Sequence, residues 1–112
     1  MNIWAMDKDI SIKHVLLLLH SHLGADTFLV DQNVHANAKG IYLEHPSEPG
    51  VRAYLFTTGQ EPERYGLHLE YPDAALNNNL IDAYENLKLI SLLNILAVHF
   101  DVSELKNLDL LG

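Results

Sequence analysis

The side chains with chemistry to offer are seven histidines, fifteen carboxylates and a few hydroxyls, on a chain of 112 residues with no cysteine. Imidazoles and carboxylates can hold a metal ion or pass protons, so their spacing is the first test. His20 and His22 stand two apart on a helical run, about 200° apart around its axis, and cannot chelate one ion. His14 and His22 are nearer in angle but two turns apart along the axis. No His-Glu-x-x-His pattern and no cysteine-containing zinc spacing exists. His68 and Glu70 would share a strand face, with Cβ atoms roughly 7 Å apart. Two ligands leave a site unfinished, and Glu44 or another strand would have to complete it. The histidines are therefore read as scattered surface and partly buried side chains, and the chain as free of metal and cofactor.

Nucleophilic and phosphate chemistry fare no better. Ser21 neighbours histidines, but it lies mid-helix without the glycines of a nucleophile elbow. Thr57 and Thr58 end a strand, a common place for threonine. Glu44 and Glu70, read as lying on neighbouring strands, could make a two-carboxylate hydrolase, although such a cross-strand pair more often belongs to a solvated or interfacial sheet face. The six glycines are isolated, with no Gly-rich loop before a helix. These absences argue against an enzyme.

The elements that must position these groups begin with a helix. Asp9 or Ser11 can cap it and Gly24 can close it, while Ile12, Val15, Leu16, Leu19 and Leu23 make one apolar stripe. Three or four strands follow: Thr27–Gln32, Gly40–His45, Val51–Thr58 and Tyr65–Tyr71. The connectors Pro46–Gly50 and Gly59–Glu63 are too short for a crossover helix, so the last three strands form an antiparallel meander. A long helix is expected next, capped by Asp73 or one of Asn77, Asn78 and Asn79 and running to about His99 or Phe100. Its first half carries Leu80, Ile81, Tyr84 and Leu87. Its second half, Leu89–Val98, is apolar nearly all round and is either buried centrally or shared with a second molecule, which makes it the candidate seam of a homodimer. Ser103–Asp109 reads as a short terminal helix that packs Leu105 and Leu108. The fold class is α+β, in a single domain over residues 1–112.

The period of two sorts the strand side chains into two faces. Ile41, Leu43, Ala53, Leu55, Leu67 and Leu69 should meet the helices. Tyr42, Glu44, Arg52, Tyr54, Phe56, His68 and Glu70 fall on the other face, which mixes aromatics with opposite charges. Tyrosines are good binding anchors because they bury a large area at small entropic cost. The same aromatics could instead fill a second core layer, and Val51–Phe56 is apolar enough to be covered on both sides.

Charge narrows the partners. Fifteen acidic residues against seven basic ones give a net charge of -8, which repels nucleic acid and anionic membranes and attracts basic proteins. Spread evenly, this is about one excess charge per interface-sized patch, so only clustering would make it functional. Asp26, Asp31, Glu44 and Glu48 stand against Lys39 alone in residues 26–48, and Glu61, Glu63, Glu70 and Asp73 against Arg64 alone in residues 61–73. The candidate protein-binding residues are Tyr42, Glu44, Tyr54, Phe56, Glu61, Glu63, His68 and Glu70. The N-terminus lacks the order of a signal peptide, and no apolar run is long enough to span a bilayer, so a cytoplasmic location is expected.

A short acidic chain without a catalytic constellation, wrapping helices on a small antiparallel meander, resembles bacterial toxin-immunity proteins, above all those of contact-dependent growth inhibition systems. The resemblance lies in size, charge and element order and involves no signature motif, so it transfers no residue by position. It implies one-to-one binding of a secreted toxin domain, often a basic nuclease, with acidic and aromatic groups standing in for nucleic acid. The chain also resembles, less closely, the small acidic type III secretion chaperones. Those usually carry further strands after the second helix and dimerise through a helix.

Overall fold

The computed structural model describes residues 3–31, 37–73 and 78–108. After one 3-10 turn at Ile3–Ala5 come α1 (Ile10–Leu23), β1 (Leu29–Asp31), β2 (Gly40–Glu44), β3 (Arg52–Phe56), β4 (Tyr65–Asp73), β5 (Asn78–Leu87) and α2 (Leu89–His99). The five strands pair in chain order, each antiparallel to the next. Short connectors allow no other arrangement for β2, β3 and β4.

Asp9 is the cap of α1. Its carboxylate accepts from the Ser11 amide at 3.0 Å and the Ser11 hydroxyl at 2.6 Å, and these two bonds hold its pKa below the usual carboxylate value. Ser11 also reaches Thr57 beyond the end of β3, oxygen to oxygen at 2.8 Å, which pins the start of the helix to the sheet. The stripe Ile12, Val15, Leu16, Leu19 and Leu23 is fully buried. Gly24 ends the helix in a conformation, φ +100°, that a side chain would strain. The strand face expected to meet the helices does so: Ile41, Leu43, Ala53, Leu55, Leu67 and Leu69 join α1 and α2 in one core.

Two expectations fail. The long helix begins only at Leu89, and the segment expected to be its first half is β5. The deceptive signal is the spacing of Tyr84 and Leu87, which are both partly buried against the core three positions apart. In a regular strand two such residues would sit on opposite faces. Here a bulge intervenes: Leu67 pairs with Tyr84 but Tyr65 pairs with Leu87, and Asn86 takes a left-handed φ of +51°. The extra residue turns a period of two into a helix-like step of three. Pairing along β4 then decides the conformation, as tertiary context often does over propensity. Of the expected caps, Asn77 lies outside the described residues.

The short terminal helix is also absent over residues 102–107, which run as a strap along the end of α1. The Lys106 amide donates to the His22 carbonyl at 2.8 Å, His22 Nδ1 donates to the Lys106 carbonyl at 2.8 Å, and Asn107 donates to the Ser21 carbonyl at 2.9 Å. Backbone groups satisfied by α1 need no helix of their own. Leu105 is partly buried as expected, but Leu108 is 45% exposed. The expected strand Thr27–Gln32 shortens to Leu29–Asp31, because Thr27 is held in a turn by its hydroxyl donating to the Gly24 carbonyl at 2.7 Å. Gln32 lies outside the described residues.

Helix α2 buries Leu92, Leu93, Leu96 and Ala97 and is locked to the sheet by His99, whose Nε2 donates to the Arg52 carbonyl at 2.6 Å. Burial pushes the His99 pKa below its ordinary value of 6.5. The unfolded chain therefore binds this proton more readily than the folded one, and the stability held above about pH 6.5 is lost as pH falls through the folded value. His99→Phe should flatten the loss of stability measured by urea unfolding between pH 6.5 and 5, at the expense of a lower stability at pH 7.5. An unchanged pH profile would show that another group, such as the similarly shifted His20, controls it.

Candidate functional site: the outer face of the sheet

Both helices lie on the inner face of the sheet, and among the described residues no helix covers the outer face. Register arranges that outer face in rows. Tyr42 pairs with Tyr54, Tyr54 with His68, and His68 with Ala83. In the next row Leu29 pairs with Glu44, Glu44 with Arg52, Arg52 with Glu70, and Glu70 with Ile81. On the other side Gly40 and Gly66 flank Phe56.

The aromatic rings form a continuous cluster. Tyr42 and Tyr54 lie 4.8 Å apart between centroids, Tyr54 and Phe56 are stacked at 5.5 Å, and His68 meets the Phe56 ring edge-on at 5.1 Å. The two glycines make room for them. A Cβ on Gly40 would fall 2.0 Å from the Tyr54 hydroxyl, and one on Gly66 only 2.1 Å from the Phe56 ring. Each aromatic thus covers the backbone of a neighbouring strand, as aromatics do for glycine in designed sheets. The Tyr54 hydroxyl is hydrogen-bonded by Asn37, yet burial together with neighbouring Tyr42 raises its pKa. Tyr42, Tyr54 and His68 remain half-buried, and Phe56 is 9% exposed without joining the main core. The rings cover one another and leave a flat, partly apolar surface open.

Charge borders the cluster. Arg52 lies over the Tyr42 ring, 4.6 Å from its centroid, and donates to Glu70 at 3.1 Å. Glu44 is not beside Glu70, as expected for a two-carboxylate pair. The meander puts β3 between them, with Arg52 as their common neighbour. That separates them by two strand spacings, about 10 Å, and the cation neutralises the carboxylate it holds. Glu61 and Glu63 are also placed elsewhere. They are exposed on the β3–β4 connector, lining a polar groove of about 280 Å³ with Asp9, His14 and Lys39. The structure therefore brings together Tyr42, Glu44, Tyr54, Phe56, His68 and Glu70, and sets Glu61 and Glu63 apart.

Three neighbours were missed from the sequence. Leu29 is 53% and Ile81 61% exposed, and both extend the apolar surface to the sheet edges. Ile81 lies in the segment whose spacing predicts a helix. Asp31 stands across from Tyr42 on β1. The available signal was the pairing of Gly40 and Gly66 with aromatics on the strand between them.

Among the described residues the histidines make no shared site. His22 and His99 bond backbone carbonyls, while His45 accepts the Ser47 and Glu48 amides at 3.1 Å through Nδ1 and donates from Nε2 to Asp101 at 2.9 Å. Among the described residues no group of three or more His, Asp or Glu side chains is placed to hold a metal ion, and no helix is long and apolar enough to cross a membrane. Set against models of protein families, curated proteins and solved structures, the chain matches none of them.

Covering of Gly66 by Phe56 can be measured. Gly66→Ala should destabilise by about 1–3 kcal/mol through overpacking. In the Phe56→Ala background the same change should cost less, with a coupling of roughly 0.5 kcal/mol or more in urea unfolding. Strict additivity would mean that the ring does not need the glycine.

Proposed function

We propose that this protein binds a basic protein toxin and neutralises it by covering its active site or substrate surface, with no turnover of its own. The observation that supports this most is the open outer sheet face, where Tyr42, Tyr54, Phe56 and His68 form a rigid aromatic surface bordered by Asp31, Glu44 and the Arg52–Glu70 pair. Packed tyrosines lose little freedom on binding, which makes them efficient anchors. A carboxylate on the rim can meet a lysine or arginine that would otherwise hold nucleic acid.

Within this reading the residues divide by task. Tyr42 and Tyr54 supply contact area and hydroxyls, and Phe56 and His68 keep them in place. Glu44 is half-buried at the rim and has Arg52 as its neighbour. Glu70 serves chiefly to hold Arg52, because its side chain is only 12% exposed. Exposed Glu61 and Glu63 act at long range, by steering. Such steering weakens as salt shortens the reach of charge to roughly 8 Å at physiological ionic strength. A cytoplasmic location follows from this role.

The test begins with capture of the partner from producing cells by the purified protein. Its association rate with a cognate toxin domain should fall as salt rises, and Glu61→Lys combined with Glu63→Lys should slow association without changing thermal stability. Tyr42→Ala should weaken binding by about 2 kcal/mol, roughly thirtyfold. Capture of an acidic partner, or rescue of toxin-expressing cells unaffected by Tyr42→Ala, would overturn the reading.

A further inference from the structure

The opposite layer of the molecule holds a second unfilled surface. Helix α2 packs over β4, and beside it a groove of about 600 Å³ opens toward β5. Leu69, Tyr71, Tyr84, Ile95 and Val98 give it apolar walls. Val98 is 81% exposed, an unusual position for a valine on a helix whose other face is core. The groove is thus flanked by a helix on one side and by two strands below, the space a third helix would occupy in the same layer.

Its charged groups share one sign. Exposed Glu48 and Asp101 line it, and the Tyr71 hydroxyl bonds Asp82 on β5. Among the described residues that line it, none is a lysine or arginine. At its base His99 spends Nε2–H on the Arg52 carbonyl, which leaves Nδ1 as a buried acceptor without a donor among the described residues. Natural proteins seldom leave such an atom unpaired.

We propose that this groove docks a cationic amphipathic helix from a partner protein. Apolar residues at helical spacing would seat against Tyr84, Ile95 and Val98, and lysines or arginines would meet Glu48 and Asp101, whose carboxylate stays exposed while it accepts from His45. A second copy of this chain fits less well. A twofold contact would place the same acidic groups near their own counterparts, with no cation in the groove to offset them. The surface lies on the opposite side of the sheet from the aromatic face, so the proposal goes beyond the toxin-binding reading and does not depend on it.

The test is an amide-resonance titration of the full chain with a synthetic helical peptide bearing leucines on one face and lysines on the other. A control peptide has every lysine replaced by glutamate. Saturable shifts confined to the amides around Tyr84, Ile95, Val98 and Asp101, weakening with salt and absent for the control, would support the groove. Val98→Lys should lower the affinity about tenfold, and its exposed position spares the fold. No binding, equal binding of the control, or shifts centred on the outer sheet face would overturn the proposal. So would self-association of the free chain that Val98→Lys abolishes, which would give the groove to a second copy.

Discussion

The register of β2, β3 and β4, with Ile41 beside Leu55 beside Leu67 and Leu43 beside Ala53 beside Leu69, is the constraint on which the other features depend. All six side chains are essentially excluded from water. A slip of one residue in any pair would expose one strand's apolar set and bury its polar one, so burial of the inner face excludes it. Once the inner face is fixed, the outer face is fixed with it. Tyr42, Tyr54 and His68 must then form one row, and Glu44, Arg52 and Glu70 the next. The candidate binding surface is therefore a consequence of core formation, at no separate cost in specificity.

That surface is closely packed for reasons internal to it. Tyr54 and Phe56 each fill the space left by a glycine on an adjacent strand, and Arg52 is held between a ring and a carboxylate. Partial burial of the Arg52–Glu70 pair strengthens its attraction and raises its desolvation cost together. Its clearer effect is geometric, since it fixes the flexible Arg52 cation in one place, over the Tyr42 ring. Large side chains already ordered in the free protein lose little entropy when a partner arrives.

The histidines turn out to join elements. His22 ties the C-terminal strap to α1, His99 ties α2 to β3, and His45 joins its own turn to Asp101. His22 and His99 each use a ring nitrogen to satisfy a backbone carbonyl of another segment. The planar imidazole of His99 also packs against the rings of Tyr71 and Phe100. A histidine-rich composition thus arises here without any shared imidazole site among the described residues.

The capped first helix, the meander and the division of its side chains into two faces were legible because local rules and burial agree there: Asp9 caps, connectors are short, and period two holds within each of β2, β3 and the Leu67–Leu69 part of β4. Six of the eight candidate residues fall together for that reason. Glu61 and Glu63 do not, because they lie on a connector whose direction no periodicity records. The second half of the chain was misread where local and tertiary signals diverge. A bulge at Asn86 gives β5 the spacing of a helix, and the strap at Lys106 borrows its hydrogen bonds from α1, eighty-four residues away from His22. By itself, then, the sequence determined which side chains seek burial and how adjacent residues alternate. Tertiary structure decided whether 78–87 pairs as a strand, which acids surround each surface, and that α2 leaves an apolar groove beside β5, because those outcomes rest on contacts between residues far apart in the chain.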